Sequence, residues 1–154
     1  MRSADLSDTF GNENWYLAEI IELITVEGDP QNVVHINLIL LRARSPDEAF
    51  EKAVAVGQAG ESTYQNTDGR TVTVAFRGLR DLLAIQADLE DGAELAYEEL
   101  IGISSEQIDK LAKPRNALAL FSAASRVSGP NYMDRDIVAE AKQRFGVDLQ
   151  LPDD

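Results

Sequence analysis

Apolar positions crowd into two runs near the start of the chain, "WYLAEIIELITV" (15–26) and "VVHINLILLRA" (33–43), separated by the turn-forming "EGDPQN". Aromatic and β-branched residues dominate both runs, so the pattern predicts an antiparallel hairpin. Leu17, Ile21 and Leu23 fall on one face of the first strand, and Tyr16, Ile20, Ile24 and Val26 on the other. Strands apolar on both faces belong inside a sheet. Helices are expected over one face, and a second chain or the tail over the other.

The spacing then changes from two to about 3.6. In "SPDEAFEKAVAVGQAGES" (45–62), Ser45 can cap a helix, Pro46 suits its first position, and Glu48 three residues after Ser45 completes a capping-box pattern. Ala49, Phe50, Ala53, Val54 and Val56 are the expected buried stripe, Glu48 and Lys52 an outward i,i+4 pair, and Gly57 or Gly60 the stop. "YQNTDGRTVTVAFRG" (64–78) follows, with Asn66 and Gly69 in a tight turn. Val72, Val74 and Phe76 alternate with polar residues, and Gly78 marks a bulge or bend. The piece from Leu79 to Leu89 fits helix or strand, and an extended strand from Thr71 continuing past the bend is the reading taken. A second turn at Asp91-Gly92 precedes a predicted strand in which Leu95 and Tyr97 alternate with Glu94, Ala96 and Glu98.

From Gly102 the texture becomes helical. "SSEQIDKLAKP", "RNALALFSAASRVSG" and "MDRDIVAEAKQRFG" read as three short helices before an acidic tail. The organisation expected is a flexible leader (1–14), an α+β core (15–101) and a helical extension (102–154). The fold class is α+β: an antiparallel sheet of four or five strands, one packed helix, and the C-terminal helices.

In order, "WYLAEI", "ARSPDEAFEKA", "YQNTDGRTVTVAFRGLRDLLAI" and "LEDGAELAY" resemble a bacterial family known only as a domain of unknown function. Its pattern is an aromatic first strand, an EEA-type helix, a Tyr-x-Asn turn, a Phe-x-Gly strand and a closing Asp-Gly-x-Glu. The resemblance covers about residues 15–98. It implies a small α+β domain, bacterial and usually cytoplasmic, with no assigned chemistry. The helical stretch from Gly102 departs from the usual short form.

Charge narrows the partners. The net charge of −13 is concentrated in residues 1–101, with 19 acidic and 7 basic side chains, against 8 and 7 in residues 102–154. An acidic surface repels phosphate backbones, and "KLAKPR" is too short to reverse that, so nucleic acid is not an expected partner. No run reaches the ~20 apolar residues of a membrane span. The absence of cysteine suits a reducing compartment. A cytoplasmic location is expected, with no membrane and no cofactor.

Candidate chemistry is sparse. With one histidine and no cysteine, a zinc site would need carboxylates for every other ligand, and "DLEDGAE" lacks EF-hand spacing, so no metal is expected. Neither a Gly-x-Ser-x-Gly elbow nor a phosphate-binding glycine loop occurs. If the hairpin turns near Asp29 and Pro30, Glu22 lies opposite Asn37 with His35 one pair along, a grouping suited to general acid–base work or to a satisfied polar patch. Arg70, Arg77 and Arg80 are the main positive charges of an acidic half. They are expected either to pair with Glu94, Glu98 and Glu99 across adjacent strands or to bind an anion, with Trp15 or Tyr64 as a wall. Asn66, Gly69, Gly78 and Gly92 are assigned structural turn roles.

The leading functional expectation is a non-enzymatic binding protein, inhibitor- or immunity-like, that meets a basic protein by electrostatic steering. The expected oligomer is a homodimer; a homodimer binding a small anion is the alternative function, and an enzyme using Glu22 and His35 the third reading.

Overall fold

The computed structural model describes residues 13–122 and 129–146. Residues 1–12 of the expected leader, the acidic tail at 147–154 and the end of the second C-terminal helix at 123–128 lie outside the described residues, while Asn14, assigned to the leader, opens the first strand. The described chain divides into two compact units, one of residues 13–96 with 129–146, the other of residues 97–122. In the first, strands β1 (Asn14–Val26), β2 (Val33–Ala43), β3 (Ser62–Gln65) and β4 (Thr71–Ala84) form one antiparallel sheet in the order β2-β1-β4-β3. With α1 (Pro46–Ala59) and α3 (Arg135–Phe145) this is the α+β class read from the pattern.

The hairpin forms where expected, but its register differs. Asp29 N–H donates to the Val26 carbonyl at 3.0 Å, and Gly28 takes the positive φ of 78°. The reversal therefore falls just before Asp29–Pro30, at the residue that tolerates a left-handed backbone. Glu22 consequently faces His35, and Asn37 faces Ile20. The slip preserves which residues share a face, because side chains alternate with a period of two.

Helix α1 begins as its sequence requires. Ser45 is extended and its side chain accepts the Glu48 N–H at 3.1 Å, with Pro46 in the first turn. The capping box is only half made: the Glu48 carboxylate accepts the Arg44 N–H at 3.4 Å. The buried stripe is also not the one expected. Ala49, Ala53 and Gly57 face the sheet, while Phe50 (55%) and Val56 (40%) are exposed. Small residues at i, i+4 and i+8 let the helix sit close to β1 and β2, over Tyr16, Ala18, Ile20, Leu41 and Ala43. The room beneath Gly57 is filled by the Phe76 ring, whose carbons lie 2.4 Å from where a Cβ would stand. A mid-helix glycine costs about 1 kcal/mol against alanine, and the ring needs that space.

Strand β4 does continue past the bend, and two irregularities let it. Its pairing with β1 steps from Asp81 to Leu79 and from Gly78 to Phe76, leaving Arg80 and Arg77 as the extra residues on either side of Gly78 (φ 109°). Each bulge shifts the alternation by one. Phe76, Leu79 and Leu82 can therefore all pack with the α1 core despite their mixed numbering.

A second apolar group, Ile24, Val26 and Val72, is closed by Val33, Tyr64, Val74 and Tyr132. Helix α3 starts at Asp134, whose carboxylate accepts the Asp136 and Ile137 N–H groups, and ends at left-handed Gly146. In the other unit, α2 (Ser105–Leu111) carries a complete capping box between Ser104 and Gln107, and Arg115–Ala117 forms a 3-10 turn. Two expectations are corrected. Residues 94–98 are not a strand, so the predicted alternation of Leu95 and Tyr97 against a neighbour does not arise. The described part of the second C-terminal helix is no more than that 3-10 turn. No helix of the described residues is long and apolar enough to cross a membrane.

Candidate functional site

Glu22, His35 and Asn37 share the face of the sheet that carries α1. All three are half-buried. The His35 ring meets Tyr132 edge-on at 5.3 Å. The Glu22 carboxylate reaches toward the end of α1, where a Cβ on Gly60 would lie 3.0 Å from its Oε1. Register brings Glu22 and His35 together, but no hydrogen bond joins them among the described residues.

The three arginines are set at different places. Arg70 follows the 66–69 turn, and Arg77 and Arg80 occupy the two bulges of β4. No strand forms at 94–99, so the adjacent strand on which the expected pairing with Glu94, Glu98 and Glu99 relied does not exist. Arg80 instead grips Glu19 of β1 through two hydrogen bonds, at 2.7 and 3.1 Å. That bidentate contact holds the Glu19 carboxyl below its ordinary pKa of 4.5. Trp15 lies under the Arg42 guanidinium at 5.3 Å, and Arg42 also pairs with Glu13 at 2.8 Å. Trp15 is thus a wall for a cation of its own strand pair.

Tyr64 and Asn66 have a joint task. Asn66 is 1% exposed, and both polar atoms of its side chain are hydrogen-bonded. Its oxygen accepts the Asp68 and Arg70 N–H groups at 2.9 and 2.8 Å, and its amide donates to the Asn131 carbonyl at 2.9 Å. Gly69, with φ 79°, closes the turn by donating to the Asn66 carbonyl. The Tyr64 hydroxyl donates to the Tyr132 carbonyl, and Asn131 returns hydrogen bonds to Thr67 and Asp68. The Tyr-x-Asn turn therefore pins residues 131–134 along the β3 edge, where Asn66 and Asp134 form a bridge. Burial, then the charges of Asp134 and Tyr132, raise the Tyr64 pKa above its ordinary 10.0.

Beside this clamp lies a groove of about 500 Å³, lined by Ser62, Thr63, Tyr64, Tyr132, Met133, Asp134, Ile137 and Val138. Its charged group is a carboxylate, and none of Arg70, Arg77 and Arg80 reaches it. A small anion finds no cation there. Among the described residues, no group of three or more histidines and carboxylates is placed to hold a metal ion.

One feature escaped the sequence reading because it was taken for a strand. From Asp88 to Ile101 the chain carries Asp88, Glu90, Asp91, Glu94, Glu98 and Glu99 with no basic residue, and all but Ala93 of these fourteen positions are exposed. The same stretch exposes Leu89 (38%), Leu95 (46%), Tyr97 (78%), Leu100 (49%) and Ile101 (84%). Gly92, with φ 85°, turns the chain within it. Its charge density was legible. That its apolar side chains are left uncovered was not.

No curated protein and no solved structure matches the chain. Residues 15–97 match the family described as Domain of unknown function (DUF4288). That span runs from the first strand of the sheet through the two turns and into the acidic stretch, more than half of the sequence. The chain belongs to the DUF4288 family of domains of unknown function.

Proposed function

We propose that the domain acts by binding a protein partner, in the manner of a small inhibitor or immunity protein, and not by catalysis. The observation that carries this reading is the stretch 88–101, whose sequence holds six carboxylates and no basic residue and whose Leu95, Tyr97, Leu100 and Ile101 are each exposed. Exposed apolar and aromatic side chains are what a partner's pocket receives, and Tyr is enriched among the residues that dominate such contacts. A surrounding field of one sign speeds the encounter with a basic surface and makes its rate fall with salt. The partner that fits is a protein with an apolar pocket rimmed by Lys and Arg.

Two features speak against the other readings. Glu22 and His35 face each other without a hydrogen bond, and the groove beside Tyr64 presents Asp134 in place of a cation.

The test is native mass spectrometry of the tagged full-length protein drawn from its own host at low salt, alongside the variant Glu94→Lys/Glu98→Lys/Glu99→Lys. The reading expects a stoichiometric second protein of basic charge, lost from the triple variant. A retained small molecule with no protein, or a partner held equally by both forms, would contradict it.

A further inference from the structure

Among the described residues the sheet ends in β2 on one side and in β3 with the upper part of β4 on the other, and the two edges are built differently. Strand β3 spans four residues and pairs with β4 only from Thr71 to Val74. The rest of β4 is therefore an edge. Two bulges bend it, Arg77, Arg80 and Asp81 line it, and the Phe76 N–H is taken by the Glu61 carboxylate at 3.2 Å. Bulges and charges are how proteins stop an edge strand from recruiting another.

Strand β2 carries no bulge, and among the described residues the one such side-chain contact on it is at its far end, where Lys52 donates to the Arg42 carbonyl at 2.6 Å. It pairs with β1 over eleven residues without a register shift, and from Val33 to Leu41 it has no Asp, Glu, Lys or Arg. Its charged residue, Arg42, is engaged by Glu13 and Trp15 at the far end. Val34 (51%), Leu38 (60%) and Leu40 (44%) are exposed on the face away from α1, with Ile36 half-buried between them.

We infer that β2 is a dimerisation edge whose occupant is β2 of a second copy of this chain, joining two four-stranded sheets into one of eight strands. Two lines of reasoning select a second copy over another protein. Self-association of a chain of net charge −13 is opposed by its own field, so two copies can meet only where carboxylates are missing, and Val33–Leu41 is such a stretch. The strand is also self-complementary. A two-fold axis perpendicular to the sheet pairs the strands antiparallel and keeps each residue on its own face. Val34, Ile36, Leu38 and Leu40 then meet the same set of the partner copy, and His35 and Asn37 meet neutral residues on the other face. Val34, Ile36 and Leu40 already face Leu23, Ile21 and Leu17 of β1, and a second copy supplies the apolar cross-strand neighbours on the outer side of β2. The dimer rests on residues 33–41 and the partner proposed above on residues 88–101, so each stands or falls on its own test.

The test is sedimentation velocity on the purified full-length protein, with backbone hydrogen exchange across a concentration series. The inference expects a species of twice 16.9 kDa. It also expects the β2 amides that do not pair with β1 to become at least tenfold more protected as the dimer fills. Leu38→Glu sets two carboxylates at the centre of the interface and should yield a folded 16.9 kDa monomer, while Arg77→Glu on the blunted edge should remain a dimer. A wild-type protein that is monomeric throughout, or a dimer whose β2 amides exchange as in the monomer, would overturn the inference. The exchange series needs no variant, so it decides the matter even if Leu38→Glu does not fold.

Discussion

The side-chain amide of Asn66 donates to the backbone carbonyl of Asn131 at 2.9 Å, joining positions 65 residues apart. Asn66 lies within the span matched by the family and Asn131 beyond it, so the family's own turn holds a segment added after the core. Replacing Asn66 with Ala would remove this partner from the Asp68 and Arg70 N–H groups and from the Asn131 carbonyl, three part-buried hydrogen bonds. Each such bond contributes roughly 0.5–1.5 kcal/mol net. Asn66→Ala should lower the unfolding free energy by about 2–3 kcal/mol in a urea titration. It should also speed amide exchange at Met133, whose N–H is held by Asn131.

Gly57→Ala should destabilise although alanine is the better helix former. Propensity favours the change by about 1 kcal/mol. The new Cβ would meet the Phe76 ring carbons at 2.4 Å, and overpacking of that kind costs about 1–3 kcal/mol. Chemical denaturation should show a net loss, and Phe76→Leu in the same chain should recover part of it. A gain in stability from Gly57→Ala alone would mean that the ring is not seated under α1.

The Glu19–Arg80 pair sets part of the acid response. The folded-state pKa of Glu19 lies below 4.5, so its contribution is fully present above that value and is lost as pH falls through the depressed one. A carbon-detected NMR titration should place the Glu19 carboxyl below 4.5, and Arg80→Gln should bring it back up. The variant should also lose less stability than the wild type as pH drops below 4.5.

Tyr64 governs the alkaline side. Its pKa is raised above 10.0 and its hydroxyl donates to the Tyr132 carbonyl, so its contribution holds below pH 10.0 and is lost as pH rises through the raised value. Absorbance titration should find one tyrosine ionising late, absent in Tyr64→Phe. The stability of that variant should fall less than the wild type's above pH 10.0.

Much of this fold was legible because its signals are local. The Ser45–Pro46 start of α1, the Gly69 turn and the bend at Gly78 each follow from what one or two residues allow. The register of the first hairpin was not legible, since it hung on whether Gly28 or Pro30 turned the chain. The stripe of α1 was misread because Phe50 and Val56 are the more hydrophobic residues, whereas the sheet is faced by the small Ala49 and Ala53 and by Gly57, which sits over the Phe76 ring. For the arginines, alternation alone pointed Arg80 toward a strand that does not form. Two bulges, which no local pattern predicts, turned it to Glu19. Residues 94–98 show the reverse error: an alternating pattern was taken for burial, and the side chains are exposed.

The proposed function rests on residues 88–101 being the contact surface, and hydrogen exchange on the low-salt assembly drawn from the host tests that most directly. Amides of 88–101 should exchange slowly in the assembly and quickly once high salt has stripped the partner away. If they exchange alike in both while protection appears elsewhere on the domain, the acidic stretch is not where the partner sits.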